Sequence, residues 1–162
     1  MSIQAMKVRR EILGLEHNDT LGSMGIVGLV YMLRGKYEAA EPLYRGTLQL
    51  TEKVLGKEHP YTLASMNNLA LLLGSQGKYE AAEPLYQETL RLREKVLGKE
   101  HPNTLTSMNN LAVLLDSHGK YEAAEPLYQE TLRLREKVLG KEHPDTLTSM
   151  NNLALLLDSQ GK

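Results

Sequence analysis

A block of 42 residues recurs along this chain, and that period constrains the fold more than any single residue does. Residues 119–160 copy residues 77–118 almost letter for letter, and residues 35–76 are a looser copy. Gly35, Gly77, Gly119 and Gly161 each open a Gly-Lys, and the first three continue into Tyr-Glu-Ala-Ala. A fixed period of about 20–50 residues marks a solenoid, whose units bury their apolar faces only against their neighbours. The two most alike copies differ only at Asn103/Asp145, Val113/Leu155 and His118/Gln160. Such likeness fits recent duplication or consensus design.

Each unit reads as two helices. Leu105, Met108, Leu111, Ala112 and Leu115 recur at helical spacing and predict an A helix over residues 103–118, ended by Gly119. A B helix beginning near Tyr121 then turns Tyr121, Ala124, Leu127, Tyr128, Thr131, Leu132 and Leu134 inward. Its early Glu122 and Glu125 and its late Arg133, Arg135 and Lys137 suit the helix dipole. Gly140 stops it, and Pro144 suits the first position of the next A helix. Pro42, Pro84 and Pro126 fall inside B helices, where proline removes a backbone hydrogen bond and predicts a kink or a late start, not a break.

The linker Lys-Glu-His-Pro-x-Thr recurs at residues 57–62, 99–104 and 141–146, with a degenerate version at residues 15–20. The expected organisation is a single array over residues 1–162. It comprises a half-repeat at 1–14, A/B pairs at about 19–56, 61–98 and 103–140, and a terminal A helix at about 145–160, eight helices in all.

Composition removes several classes of function. The net charge of −1 gives no basic footprint for nucleic acid and no polybasic face for a membrane surface. The absence of Cys excludes disulfides, thiolate metal sites and thiol catalysis. No apolar run approaches the ~20 residues of a membrane span. A soluble, cytoplasmic protein is expected.

At Gly-Lys-Tyr-x-x-Ala the sequence resembles a tetratricopeptide repeat, through Leu69, Ala70, Gly77, Tyr79, Ala82, Tyr86 and Leu90. The longer unit, with Asn-Asn-Leu-Ala, Ala-Glu-Pro-Leu-Tyr, Arg-Glu-Lys-Val-Leu-Gly and His-Pro, is similar to the repeats of kinesin light chains and of arrays attached to NB-ARC signalling ATPases. The resemblance implies an all-α, right-handed superhelix of antiparallel helices, with A helices lining a concave groove and B helices outside. It also implies a non-catalytic scaffold that binds a protein or peptide segment in that groove. The chain carries neither a heptad coiled coil nor a phosphate-binding loop.

Carried onto this chain, the groove positions of the family are Asn67, Asn109 and Asn151, Thr106 and Thr148, and Asp116 and Asp158. A ladder of Asn amides both donates to and accepts from an extended peptide backbone. The second residues of the pairs, Asn68, Asn110 and Asn152, are expected to serve buried backbone groups between repeats. The absence of Lys and Arg from these positions argues against a carboxylate clamp, which needs cations. The aspartates instead favour basic or neutral peptides.

His17, His59, His101 and His143 stand one repeat apart, too far to share an ion whose Zn–N bonds are about 2 Å. They are expected to cap A helices or pack on linkers, while His118 is expected to be exposed. The run Gly22, Gly25, Gly28 has neither the spacing nor the preceding strand of a nucleotide fingerprint. Three such glycines inside a helix cost about 1 kcal/mol each against Ala, so something packs on that helix or the repeat is worn. A periodic display of like groups offers no convergent catalytic centre, so neither an enzyme nor a cofactor is expected. Two further roles stay open beside the peptide scaffold: a module that stacks head-to-tail into homo-oligomers through its end helices, and the sensor array of a larger NB-ARC-type ATPase.

Overall fold

The computed structural model describes residues 3–14 and 17–161, without the side chain of Asn18. The first two residues of the expected half-repeat, Leu15 and Glu16 of the degenerate linker, and Lys162 lie outside the described residues. Among the described residues there are eight α-helices and no strand. They are α1 (Ile3–Leu13), α2 (Asn18–Leu33), α3 (Tyr37–Leu55), α4 (Pro60–Ser75), α5 (Tyr79–Leu97), α6 (Pro102–Ser117), α7 (Tyr121–Leu139) and α8 (Pro144–Ser159). The even-numbered helices are the A helices of the sequence pattern and the odd-numbered ones the B helices.

The repeated residues set these boundaries by local chemistry. Each A helix begins behind a histidine in extended conformation, whose Nδ1 accepts the backbone N–H two residues on at 3.1–3.2 Å. That bond satisfies one of the four donors a helix start leaves unpaired. In α4, α6 and α8 the next residue is proline, which has no N–H to leave unpaired. The end of α6 is a Schellman turn. Lys120 N–H donates to the Leu115 carbonyl at 2.8 Å and Gly119 N–H to that of Asp116 at 2.9 Å, with Gly119 at φ +77°. A side chain at that φ would clash with its own backbone, so only glycine serves there without strain.

The B helices run through their prolines. α3 and α7 start at Tyr37 and Tyr121, five residues ahead of Pro42 and Pro126, with no late start. Both prolines are exposed, as are Glu38 and Glu122, whose carbonyls lose a helical partner.

The chain divides into two compact units, Met1–Leu85 and Tyr86–Lys162. In the first, α1 packs on α2, α2 on α3 and α3 on α4, and α2 also touches α4. Met6, Met24 and Val27 form a buried cluster there, covered by Tyr31, Leu43 and Leu50. In the second, α6 packs on α7, α7 on α8, and α6 touches α8. Its cluster is Leu105, Met108 and Leu134 with Leu90 and Leu127. The predicted stripe of α6 is buried throughout. Along α7, Tyr121, expected inward, is exposed, and Arg135, named only as a cation that suits the helix dipole, is buried.

The three glycines of α2 have different reasons. A Cβ on Gly28 would stand 2.7 Å from the ring of Tyr44, a side chain that is itself buried, so Tyr44 is the close neighbour that demands a glycine. A Cβ on Gly22 or Gly25 would meet nothing within 4 Å. Opposite signs are therefore expected in urea unfolding. Gly25→Ala should stabilise by about 0.5–1 kcal/mol through helix propensity. Gly28→Ala should destabilise by about 1–3 kcal/mol through overpacking, and equal effects would show that Tyr44 does not hold this site.

Candidate functional site

The sequence-predicted groove residues sit on the outward stripe of the A helices. In the second unit, α6 presents Thr106, Asn109, Val113 and Asp116 at steps of three and four residues, and α8 repeats them as Thr148, Asn151, Leu155 and Asp158. That spacing places each set on one helix face. Thr106, Val113, Thr148, Asn151, Leu155 and Asp158 are exposed, whereas Asn109 and Asp116 are half-buried. Each threonine hydroxyl donates to the carbonyl four residues back, at 3.0 Å for Thr106 and 2.9 Å for Thr148.

The asparagines link neighbouring A helices. Nδ2 of Asn152 on α8 donates to Oδ1 of Asn109 on α6 at 3.3 Å, so its partner here is a side chain and not the buried backbone. Asp116 is tied as well: the hydroxyl of the buried Tyr128 donates to its Oδ2 at 3.3 Å. Burial raises the Tyr128 phenol well above its ordinary value, with further help from the Asp116 charge and hydrogen bond. Burial alone pushes the equivalent Tyr44 up to about 12. The stripe thus offers amide and carboxylate groups partly held in place from behind, flanked by apolar Val113 and Leu155.

The first unit differs. Asn67 is half-buried on α4, but α2 carries Gly25 and Ile26 where the other A helices carry an Asn pair. In place of an amide ladder there is a depression of about 200 Å³ between α2, α3 and α4.

Three features escape the sequence pattern. Buried Arg135 on α7 reaches across to α8, where Nη1 donates to the Asp145 carbonyl at 2.9 Å and to Ser149 Oγ at 2.7 Å. Arg93 on α5 does the same to Asn103 and Ser107 of α6, both at 2.8 Å, and Arg9 on α1 donates to Ser23 Oγ of α2 at 2.8 Å. Desolvation lowers the pKa of Arg93 and Arg135, and the charge of Asp145 works against that for Arg135. The signal was present: an Arg stands 14 residues before a Ser in three of the four copies. Secondly, Thr62 of the linker motif donates to the Gly56 carbonyl at 2.7 Å and so closes the α3–α4 turn. Thirdly, His118 is half-buried at the C-cap of α6 instead of exposed. The four linker histidines each cap their own helix.

Glu41 on α3 shows how the Gly-Lys turn is held. Its carboxylate accepts from Arg45 at 2.9 Å, from Lys78 at 3.1 Å and from Gln76 at 3.3 Å. Arg45 and then Lys78 hold its pKa below the usual carboxylate range, against the opposing effect of burial and with a smaller contribution from Gln76.

The tetratricopeptide repeat family model matches residues 19–95, 74–137 and 119–162. The chain belongs to the tetratricopeptide repeat family. Its fold is also that of solved repeat proteins. A point variant of a Podosopora anserina protein assigned as a kinesin light chain, with nearly identical TPR-like repeats, matches with a TM-score of 0.82 at 29% identity. That match covers 98% of this chain and 74% of that one. The same protein without the substitution gives 0.80 at 28% identity, over 98% and 75%. BtubC (BKLC) from P. vanneervenii gives 0.79 at 24% identity, over 88% and 57%, a likeness of fold. No curated protein sequence matches the chain significantly. As a tetratricopeptide repeat chain with kinesin-light-chain-like repeats, it has the architecture of a protein–protein interaction scaffold. No helix among its described residues is long and apolar enough to cross a membrane.

The Glu41 cluster ties the stability of this tetratricopeptide array to pH. Because the folded pKa is depressed, the unfolded chain binds more protons as pH falls through the glutamate range. The cluster's contribution is full above the ordinary glutamate value and is lost as pH drops through the folded one. Glu41→Gln should therefore flatten the acid limb of Tm against pH. Parallel limbs for the two proteins would assign the cluster no stabilising role.

Proposed function

We propose that the chain is a non-catalytic scaffold that binds an extended peptide or protein segment along the outward stripe of its A helices. The observation that carries this reading is the paired stripe of α6 and α8, where Thr106, Asn109 and Asp116 recur as Thr148, Asn151 and Asp158. Amides donate and accept, carboxylates select donors or cations, and Val113 and Leu155 supply apolar contact. The family supports the scaffold role in general terms, and the stripe is where this chain would exercise it.

Asp116 and Asp158 give the stripe a preference for basic or neutral segments. Titrating the labelled protein with a library of extended peptides should shift the side-chain amide signals of Asn109 and Asn151 saturably. Replacing both aspartates with Lys should weaken a basic peptide by about tenfold, the equivalent of roughly 1.4 kcal/mol. Unchanged affinity, or shifts that leave both asparagines untouched, would move the site elsewhere.

A second reading rests on a different observation. The face of α8 that corresponds to the buried face of α6 is open: Leu147 is 51% and Met150 43% exposed, against 0% for Leu105 and 5% for Met108. On α1, Ile3, Val8, Ile12 and Leu13 are also exposed. Stacking α8 of one copy on α1 of the next would continue the repeat head-to-tail, a heterologous contact that does not close on itself. Light scattering over a concentration series should then show mass growing with concentration, and lessening for Met150→Glu. A monomer at every concentration would remove the head-to-tail reading.

A further inference from the structure

We infer that the depression between α2, α3 and α4 is a receptor site for an arginine side chain on a binding partner. One arginine of a repeated series is missing. Arg9, Arg93 and Arg135 each stand 14 residues before a serine of the following A helix and bond to it. Before Ser65 the same position holds Thr51. Thr51 is too short to cross and turns its hydroxyl back to the Leu48 carbonyl of its own helix at 3.0 Å.

The receiving groups nevertheless persist. Ser65 is buried, and its Oγ donates to the Tyr61 carbonyl at 2.9 Å. Those two oxygens occupy the places of Ser107 Oγ and the Asn103 carbonyl, which Arg93 binds together, and of Ser149 Oγ and the Asp145 carbonyl, which Arg135 binds together. A hydroxyl has one proton and two lone pairs, so Ser65 Oγ, having spent its proton on Tyr61, retains accepting capacity. Both Thr51 and Ser65 line the depression of about 200 Å³.

The rest of the lining fits a guanidinium that comes from outside. Gly22 and Gly25 of α2 replace the larger residues found at these positions in α6 and α8, and leave open space where a Cβ would stand. Ile26, Leu29 and Tyr61, all exposed, form the mouth and make the site reachable from solvent. Apolar walls suit the methylene stem of arginine, and the face of the Tyr61 ring suits its charged plane. Lysine carries a more strongly hydrated head with no plane to lay on the Tyr61 ring, and leucine has no donor to offer Ser65 Oγ. The chain itself shows that no carboxylate is required, since Arg93 is held by a carbonyl and a hydroxyl. The inference rests on the peptide-scaffold reading and extends it to the first unit. Its readouts, at Tyr61 and Ser65, are separate from those of Asn109 and Asn151.

The test uses the full labelled chain and blocked pentapeptides in which one Arg, Lys or Leu is flanked by Ala. The Arg peptide should shift the backbone amides of Tyr61 and Ser65 saturably, and the Lys and Leu peptides should bind roughly tenfold more weakly. Thr51→Arg should fill the site from within, abolish the shifts and raise Tm. Ser65→Ala, which keeps the cavity but removes an acceptor, should weaken the Arg peptide several-fold. Equal binding of the Leu peptide, no saturable shift with the Arg peptide, or undiminished binding to either folded variant would overturn the proposal.

Discussion

An amphipathic helix pair with one apolar face on each member cannot close a core alone, and every other feature of this protein follows from that shortage. Helix α6 buries Leu105, Met108, Leu111, Ala112 and Leu115 along one stripe, and Leu90 of α5 and Leu127 of α7 help to cover it. The 42-residue period supplies the cover again and again, so the unit of stability is the contact between neighbours. Outward positions of the A helices are left over. There the chain displays Asn, Thr and Asp, some of them tied to neighbouring helices.

Polar groups between repeats add register to this apolar packing. The Arg–Ser crossings tie a B helix to the start of the next A helix, and the Asn152–Asn109 bond ties one A helix to another. A buried arginine must have its donors met, and here a main-chain carbonyl and a hydroxyl meet two of them at a fixed offset along the helix. Such a contact forms only in one alignment of neighbouring repeats, which matters in a chain whose copies are nearly interchangeable. Where Thr51 breaks the series, the Arg–Ser tie is missing and a cavity remains.

Much of the fold was legible because its determinants are local. Gly119, Gly140, Pro144 and the apolar spacing of α6 fix where helices begin and end, and residues within a few positions decide each of these. What stayed hidden depends on the neighbouring helix. Arg135 looks like a cation placed for the dipole until α8 is set beside α7, and then it is buried. Tyr121 fits the inward spacing yet lies exposed at the first residue of α7. The depression in the first unit could not be read from the glycines alone, since Gly28 answers to Tyr44 while Gly22 and Gly25 face open space. The candidate stripe follows from resemblance, and the partners of Asn109 and Asp116 lie on other helices, out of reach of local sequence pattern.

Helices α6 and α8 offer a direct test of whether neighbours, and not intrinsic propensity, hold the array together. Their 16-residue sequences differ only at Asn103/Asp145 and Val113/Leu155, yet Leu105 and Met108 are buried while Leu147 and Met150 are open. Native-state hydrogen exchange resolved residue by residue compares the two helices inside one molecule. If contact between repeats governs stability, the central amides of α6 should exchange at least roughly tenfold more slowly than their counterparts in α8. Equal protection in the two helices would contradict the account, because the same sequence would then be equally stable whatever lies beside it.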